Sequence, residues 1–93
     1  MSSVTLYRID PVKNMQRYYR LDIQPDLFGN QCLTREWGRI GRAGQMRTTF
    51  YQSMEEAEQA FIKQRTAKER KGYTMKTLEI YRTRTIYENG KPL

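Results

Sequence analysis

Apolar and polar residues alternate along four short segments of the chain before the spacing changes to that of a helix. The four segments are residues 3–10, 15–24, 31–40 and 45–51. In the second segment Tyr19, Leu21 and Ile23 fall on one face, as expected for a strand with one side buried. Residues 25–30 contain Pro, Asp, Gly and Asn, and residues 41–44 contain two glycines. Both compositions favour turns. Because these connections are short, we predict an antiparallel meander.

A capping box marks the start of the one predicted helix. Ser53 stands at the N-cap and Glu56 three residues later, where each can bond the backbone N–H of the other. An apolar stripe at helical spacing follows, formed by Met54, Ala57, Ala60 and Phe61. Gly72 is suited to end the helix. We therefore predict an α+β fold, with a small antiparallel sheet of four to five strands and a helix over residues 53–71 packed across one face.

Residues 35–44 concentrate the chain's unusual side chains: its one Trp, three of its six glycines and three arginines. Arg35, Trp37 and Arg39 lie two residues apart, so on a strand they share one face. A flat aromatic ring between two guanidinium groups suits a sugar or base flanked by phosphate. A single Trp is also a common core anchor. Two charged neighbours on the same face favour an exposed or rim position instead.

The triplet Trp37-Gly38-Arg39, with the aromatic pair Tyr18-Tyr19 upstream and a helix ending near Gly72-Tyr73 downstream, resembles the WGR domain. The resemblance covers about residues 14–73, and we take residues 1–76 as a WGR-like domain. It implies a small antiparallel sheet with a packed helix. It also implies a role in contacting DNA, best known from the poly(ADP-ribose) polymerases that sense strand breaks. The same domain occurs in a bacterial molybdate-metabolism regulator and in short free-standing bacterial proteins.

The resemblance also suggests roles for individual residues. Trp37 would pack against a terminal sugar or nucleotide, and Arg39 corresponds to a residue that bridges to neighbouring domains in larger relatives. Asn14 is a candidate phosphate contact, while Glu36 replaces a residue that is basic in relatives and is expected to weaken DNA binding. The predicted nucleic-acid-binding residues are Trp37, Gly38, Arg39, Arg35, Arg42, Asn14 and Lys68.

Charge agrees with an anionic partner. Lys and Arg number 17 against 10 Asp and Glu, a net charge of +7, and such a balance favours nucleic acid or an acidic surface. The first hypothesis is a module that binds DNA, or RNA, with preference for ends, nicks or breaks. The second is a protein–protein adaptor that docks an acidic partner through Trp37 and Arg39, since Trp and Arg are common interface anchors.

Several other classes are not expected. The chain has no histidine and one cysteine, Cys32, which excludes the common zinc clusters and the commonest acid–base group. We expect no enzyme activity, no cofactor and no small-molecule substrate, and we expect Cys32 to be a small buried residue. The spacing of Gly38, Gly41 and Gly44 matches no phosphate-binding loop; Gly44 is predicted to take a left-handed conformation that closes a hairpin.

The sequence shows no signal for a membrane or for secretion. No apolar run approaches the ~20 residues of a membrane span, and no secretory signal is evident, so we expect a cytoplasmic protein without a membrane partner. Residues 77–93 lie beyond the resemblance. Residues 77–87 are rich in Thr, Ile and Tyr and read as a strand, which either adds an edge strand or makes a dimer contact.

Overall fold

The computed structural model describes residues 2–75, in which four strands precede one helix. The elements are β1 (Ser3–Asp10), β2 (Met15–Pro25), β3 (Gln31–Arg39), β4 (Gln45–Tyr51) and α1 (Met54–Arg70). The strands form one sheet in the order β1-β2-β3-β4, and each neighbouring pair is antiparallel. The predicted α+β meander is thus confirmed. The predicted strand over 77–87 and the whole segment 77–93 lie outside the described residues.

The core lies between α1 and one face of the sheet. Tyr19, Leu21 and Ile23 of β2 are buried on that face, as their alternation predicted, and Ala57 and Phe61 of α1 are buried against it. The complete buried cluster is Val4, Leu6, Tyr19, Leu21, Ile23, Leu33, Ala57, Phe61 and Tyr73. We call this side of the sheet the helix face and the other side the open face, since no element within residues 2–75 covers it.

Both ends of α1 follow from its sequence. The amide of Glu56 donates to Ser53 Oγ over 3.1 Å, and Ser53 Oγ donates to a carboxylate oxygen of Glu56 over 3.2 Å. The helix ends after Arg70, and Gly72 takes a φ of 97° that favours glycine. The expected limits of the helix are therefore confirmed to within one residue.

After the helix the chain returns to the β1 edge of the sheet. Tyr73 is buried in the core, and Thr74 bridges Tyr7 through two backbone hydrogen bonds, each 2.9 Å long. The β1 edge is therefore already paired at that point. No helix in residues 2–75 is long and apolar enough to cross a membrane.

Two predictions about individual residues are wrong. The left-handed glycine of the β3–β4 turn is Gly41, with φ 87°, and not Gly44. Gly44 is instead a point of close approach, because a Cβ there would meet the carbonyl oxygen of Trp37 and lie 2.5 Å from the hydroxyl of Tyr18. Cys32 is only half-buried, because its even position in β3 puts it on the open face, opposite Phe50.

Candidate nucleic-acid interface

Strand register places alternate residues around the Trp on the helix face. Trp37 lies opposite the core residue Tyr19, and Arg39 lies opposite Arg17. Arg35 is two residues before Trp37 on the same strand and therefore points to the same side. The predicted common face of Arg35, Trp37 and Arg39 is confirmed, and it is the face that α1 covers.

Trp37 combines the two roles that its sequence context left open. Its side chain is half-buried and packs against the core cluster. The same side chain also lines two clefts that open beside the C-terminal half of α1. One part of the indole thus supports the fold, while another part is available to a ligand.

The two clefts meet at Trp37 and Lys68, which line both of them. The first has a volume of about 380 Å³ and is lined by Arg17, Tyr18, Trp37, Gly38, Arg39, Lys68 and Tyr73. The second has a volume of about 270 Å³ and is lined by Tyr19, Arg35, Trp37, Gln64, Ala67, Lys68 and Lys71. We refer to them together as the Trp37 clefts.

The lining of the Trp37 clefts is strongly cationic. It includes Arg17, Arg35, Arg39, Lys68 and Lys71, and it contains no carboxylate. The ion pairs found within residues 2–75 belong to Arg20 and Arg65 and involve none of these five. A positive potential is therefore concentrated in two concave surfaces, where low-dielectric walls strengthen its attraction for anions.

Lys68 lies at the centre of this arrangement. Its ammonium is 4.6 Å from the ring centroid of Tyr19 and 5.4 Å from that of Tyr73, within the range of cation–π attraction. Burial lowers the pKa of Lys68, and the nearby charges of Lys71, Arg17 and Arg35 lower it further. The protonated amine is thus held among like charges, so a bound anion would relieve that repulsion.

Arg39 is oriented by the turn between β1 and β2. Its Nη1 donates to the backbone carbonyl of Asn14 over 3.3 Å, and its Nη2 donates to the Asn14 side-chain oxygen over 3.4 Å. Asn14 has a φ of 52°, a left-handed conformation that Asn tolerates well. Asn14 is therefore engaged with Arg39 and does not itself line the clefts.

Glu36, the acidic neighbour of the triplet, faces away from the Trp37 clefts. It is on the open face, where it accepts a 2.9 Å hydrogen bond from the hydroxyl of Tyr18 and lies 3.9 Å from Arg20. The bond to Glu36 raises the pKa of Tyr18. Glu36 lines neither cleft, although its hydrogen-bond partner Tyr18 lines the first one. The expected weakening of DNA binding by Glu36 stays a prediction.

Five of the seven residues predicted for the site line the Trp37 clefts, namely Arg35, Trp37, Gly38, Arg39 and Lys68. Asn14 acts on one of them, and Arg42 is exposed in the β3–β4 turn away from the lining set.

Seven cleft residues were absent from the predicted site, and among them Arg17 and Lys71 contribute charge and Tyr73 an aromatic ring. Arg17 was detectable, because it precedes Tyr19 by two residues in the same strand and so shares its face. Lys71 lies three positions after Lys68, a spacing that puts both on one side of a helix. Tyr73 carries no such local signal, since its position depends on how the chain returns to the sheet.

Comparison with known proteins agrees with the resemblance to the WGR domain over all of the described residues. A family model described as the WGR domain matches residues 2–79. A protein of Sinorhizobium fredii named "Uncharacterized protein y4dW" is 46% identical over 66 residues. The aligned part is 71% of this chain but 32% of that relative, so the chain spans about a third of its length. No solved structure matches the chain.

Proposed function

The chain belongs to the WGR domain family, and from this premise we propose that it is a nucleic-acid-binding module whose ligand is DNA at an end, nick or break. One observation carries the proposal: five cationic side chains and Trp37 line adjoining clefts that contain no carboxylate. The partner that such a surface fits is an anionic polymer with flat rings along its backbone.

The cations supply the attraction to phosphate. Arg17 and Arg39 lie opposite each other on neighbouring strands, where their planar guanidinium groups can each bond phosphate oxygens in pairs. Lys68 and Lys71 approach from α1 and act as point charges. Phosphates entering the mouths of the clefts would meet positive charge from both the sheet and the helix, which favours binding through the backbone of the nucleic acid.

Trp37 supplies the preference for a discontinuity in the strand. Its side chain forms part of a wall of the first cleft, and a half-buried ring of this kind offers a surface but does not project far. In an intact duplex the base faces are stacked on one another and unavailable to it. A terminal nucleotide exposes its sugar and one base face, where contact with an aromatic ring is worth about 1–3 kcal/mol. The proposal is one of binding, with no catalytic step assigned to the clefts.

Fluorescence anisotropy tests the proposal with one DNA sequence in blunt, nicked and closed circular form. We expect tighter binding to the blunt and nicked forms than to the closed form. Three to five phosphate contacts would give a slope of log K against log salt between about −3 and −4.5.

A matched pair of variants assigns the binding surface. Arg17 and Arg20 lie in the same strand but on opposite faces. Arg17→Gln is expected to weaken binding and to reduce the salt slope by about one unit, whereas Arg20→Gln is expected to change neither. Equal effects of the two variants, a flat salt response or an absence of binding to any nucleic acid would overturn the proposal and favour an acidic protein as the partner.

A further inference from the structure

The two edges of the sheet are not equivalent. The β1 edge is bridged by Thr74 at Tyr7, whereas within residues 2–75 no strand pairs with the outer edge of β4 (Gln45–Tyr51). β4 pairs with β3 in an unbroken register, and its 7 residues include no Pro, Gly or Lys and one charged residue, Arg47. These features leave β4 without most of the devices that keep an edge strand from pairing with another chain.

We propose that β4 is a self-association edge, on which a second copy of this chain pairs antiparallel with its own β4 in a register centred on Thr48. In that register Met46 lies opposite Phe50 of the second copy, and the reverse, while the two Thr48 residues face each other. Met46 and Phe50 are 64% and 63% exposed, a large exposure for two apolar side chains that flank Thr48 on one face of the strand. The association would cover them in two sulfur–aromatic pairs and one Thr–Thr pair.

The register follows from the sequence of β4. A slip of one residue would set open-face side chains against helix-face side chains, which an antiparallel pair does not allow. Centring on Arg47 would place two guanidinium groups directly opposite each other. Centring on Thr49 would leave Gln45 and Met46 outside the pairing of the two β4 strands. Centring on Thr48 pairs all 7 residues and sets Arg47 opposite a neutral Thr.

Size and charge define how strong the association is. A single edge of 7 residues buries less than the ~1,200 Å² of a standard interface, so the dimer is weak. Each chain carries a net charge of +7, so added salt strengthens the association by screening repulsion. That sign is opposite to the effect of salt on DNA binding. A two-fold axis perpendicular to the sheet keeps both helix faces on one side, so the dimer presents two sets of Trp37 clefts in the same direction.

Charge-swapped variants test this register. Thr48→Lys and Thr48→Glu each place two like charges opposite each other at the two-fold axis, while an equimolar mixture of the two places Lys opposite Glu. Sedimentation velocity over a concentration series, at about 0.15 M salt where the Debye length is ~8 Å, measures association. We expect the wild type to move from monomer towards dimer as its concentration rises. Each single variant is expected to raise the concentration at the midpoint of dimerisation at least about 10-fold, which corresponds to roughly 1.4 kcal/mol. The equimolar mixture is expected to restore the wild-type midpoint.

Ser3 provides the matched control. It lies at the β1 edge in the same transverse row as Thr48, connected through Asp22 and Thr34. Ser3→Lys and Ser3→Glu are expected to leave the midpoint within about twofold of the wild type, allowing for one added or removed charge. Phe50→Lys, at an exposed position, is a second disrupting variant, and thermal melts verify that every variant is folded.

Three results would overturn the inference. They are a wild type that stays monomeric up to about 1 mM, a concentration that detects even weak pairing; equal behaviour of the Thr48 and Ser3 variants; and a mixture that fails to restore association. A monomer whose β4 edge is covered by residues 76–93 of the same chain gives the first result. DNA binding by dilute Thr48 variants is measured separately and is expected to persist, because Thr48 is on the open face. Failure of the self-association therefore leaves the proposed function standing.

Discussion

Replacing Trp37 with alanine is expected to lower both the stability of the fold and the affinity for DNA ends. The indole is half-buried and packs against the core cluster while lining both Trp37 clefts. A fully buried Trp or Phe costs about 3–5 kcal/mol on truncation to Ala. For a side chain that is only partly buried we expect roughly 2–3 kcal/mol of unfolding free energy, in line with that series.

The loss of stability translates into a measurable change in melting temperature. At 4–8 °C per kcal/mol for a domain of this size, Tm should fall by roughly 8–24 °C. A typical domain has a free energy of unfolding of about 5–15 kcal/mol, which exceeds the expected loss. The variant should therefore be folded at low temperature. Binding is therefore measured at low temperature, after circular dichroism has verified that the variant is folded.

The loss of affinity has a different origin and a separate magnitude. Losing one aromatic contact with a nucleotide is worth about 1–3 kcal/mol, or roughly 5- to 150-fold in Kd. Phe28→Ala is the control, because Phe28 is an aromatic side chain that is 88% exposed in the β2–β3 loop at the far end of the strands. It should change Tm and Kd little. Trp37→Ala with unchanged affinity for DNA ends would remove Trp37 from the site, and an unchanged Tm would contradict its packing against the core.

Three further variants follow from contacts around the Trp37 clefts. DNA affinity should fall as pH rises through the pKa of Lys68, because binding an anion favours the protonated amine. Burial and neighbouring cations lower that pKa. In Lys68→Arg the pH dependence should disappear, as measured by anisotropy between about pH 7 and 10, a range that spans lysine titration. Gly44→Ala should cost about 1–3 kcal/mol in urea unfolding, because the new methyl group overlaps the carbonyl oxygen of Trp37; wild-type stability would contradict that close approach. Arg39→Gln should weaken DNA binding and reduce the salt slope by about one unit. Arg42→Gln should have a much smaller effect, since Arg42 is outside the lining set. A larger effect of Arg42→Gln than of Arg39→Gln would place the phosphate contacts in the turn.

The elements of the fold were predictable because their signals are local. Alternation in the second strand, the capping box at Ser53 and the glycine at Gly72 each act over a few neighbouring residues, and all three predictions agree with the structure. The backbone conformation of Gly44 was predicted wrongly because its determinants are not local. Its role depends on contact with Trp37 and Tyr18 across two strands, and a turn pattern carries no information on such an approach.

Most of the predicted site residues that line the clefts come from one strand, and Lys68 of α1 is the exception. The shared face of Arg35, Trp37 and Arg39 follows from the period of a strand, and it is what the register gives. The pairing of Arg39 with Arg17, and the arrival of Lys68 and Lys71 from α1, require the register and the helix position. Sequence distance does not contain that information, so the cation cluster emerges only once the elements are packed.

Trp37 belongs both to the packing of the core and to the lining of the clefts. From sequence, a core anchor and an exposed recognition residue were competing descriptions. In the fold, the residue is at the border where the core ends beside the last turns of α1, so one ring serves both purposes. A loss of stability in a Trp37 variant is therefore no evidence against a role in binding.

The fluorescence of Trp37 tests the central claim most directly, because it is the one Trp among 93 residues. The emission reports on the proposed contact without any substitution. A short blunt duplex is titrated into the protein while emission, acrylamide quenching and anisotropy of the labelled DNA are followed together. If nucleic acid occupies the Trp37 clefts, emission should fall by base or sugar contact, access to acrylamide should decrease, and both should saturate with the Kd seen by anisotropy. Saturable binding by anisotropy with unchanged emission and unchanged acrylamide access would contradict the account.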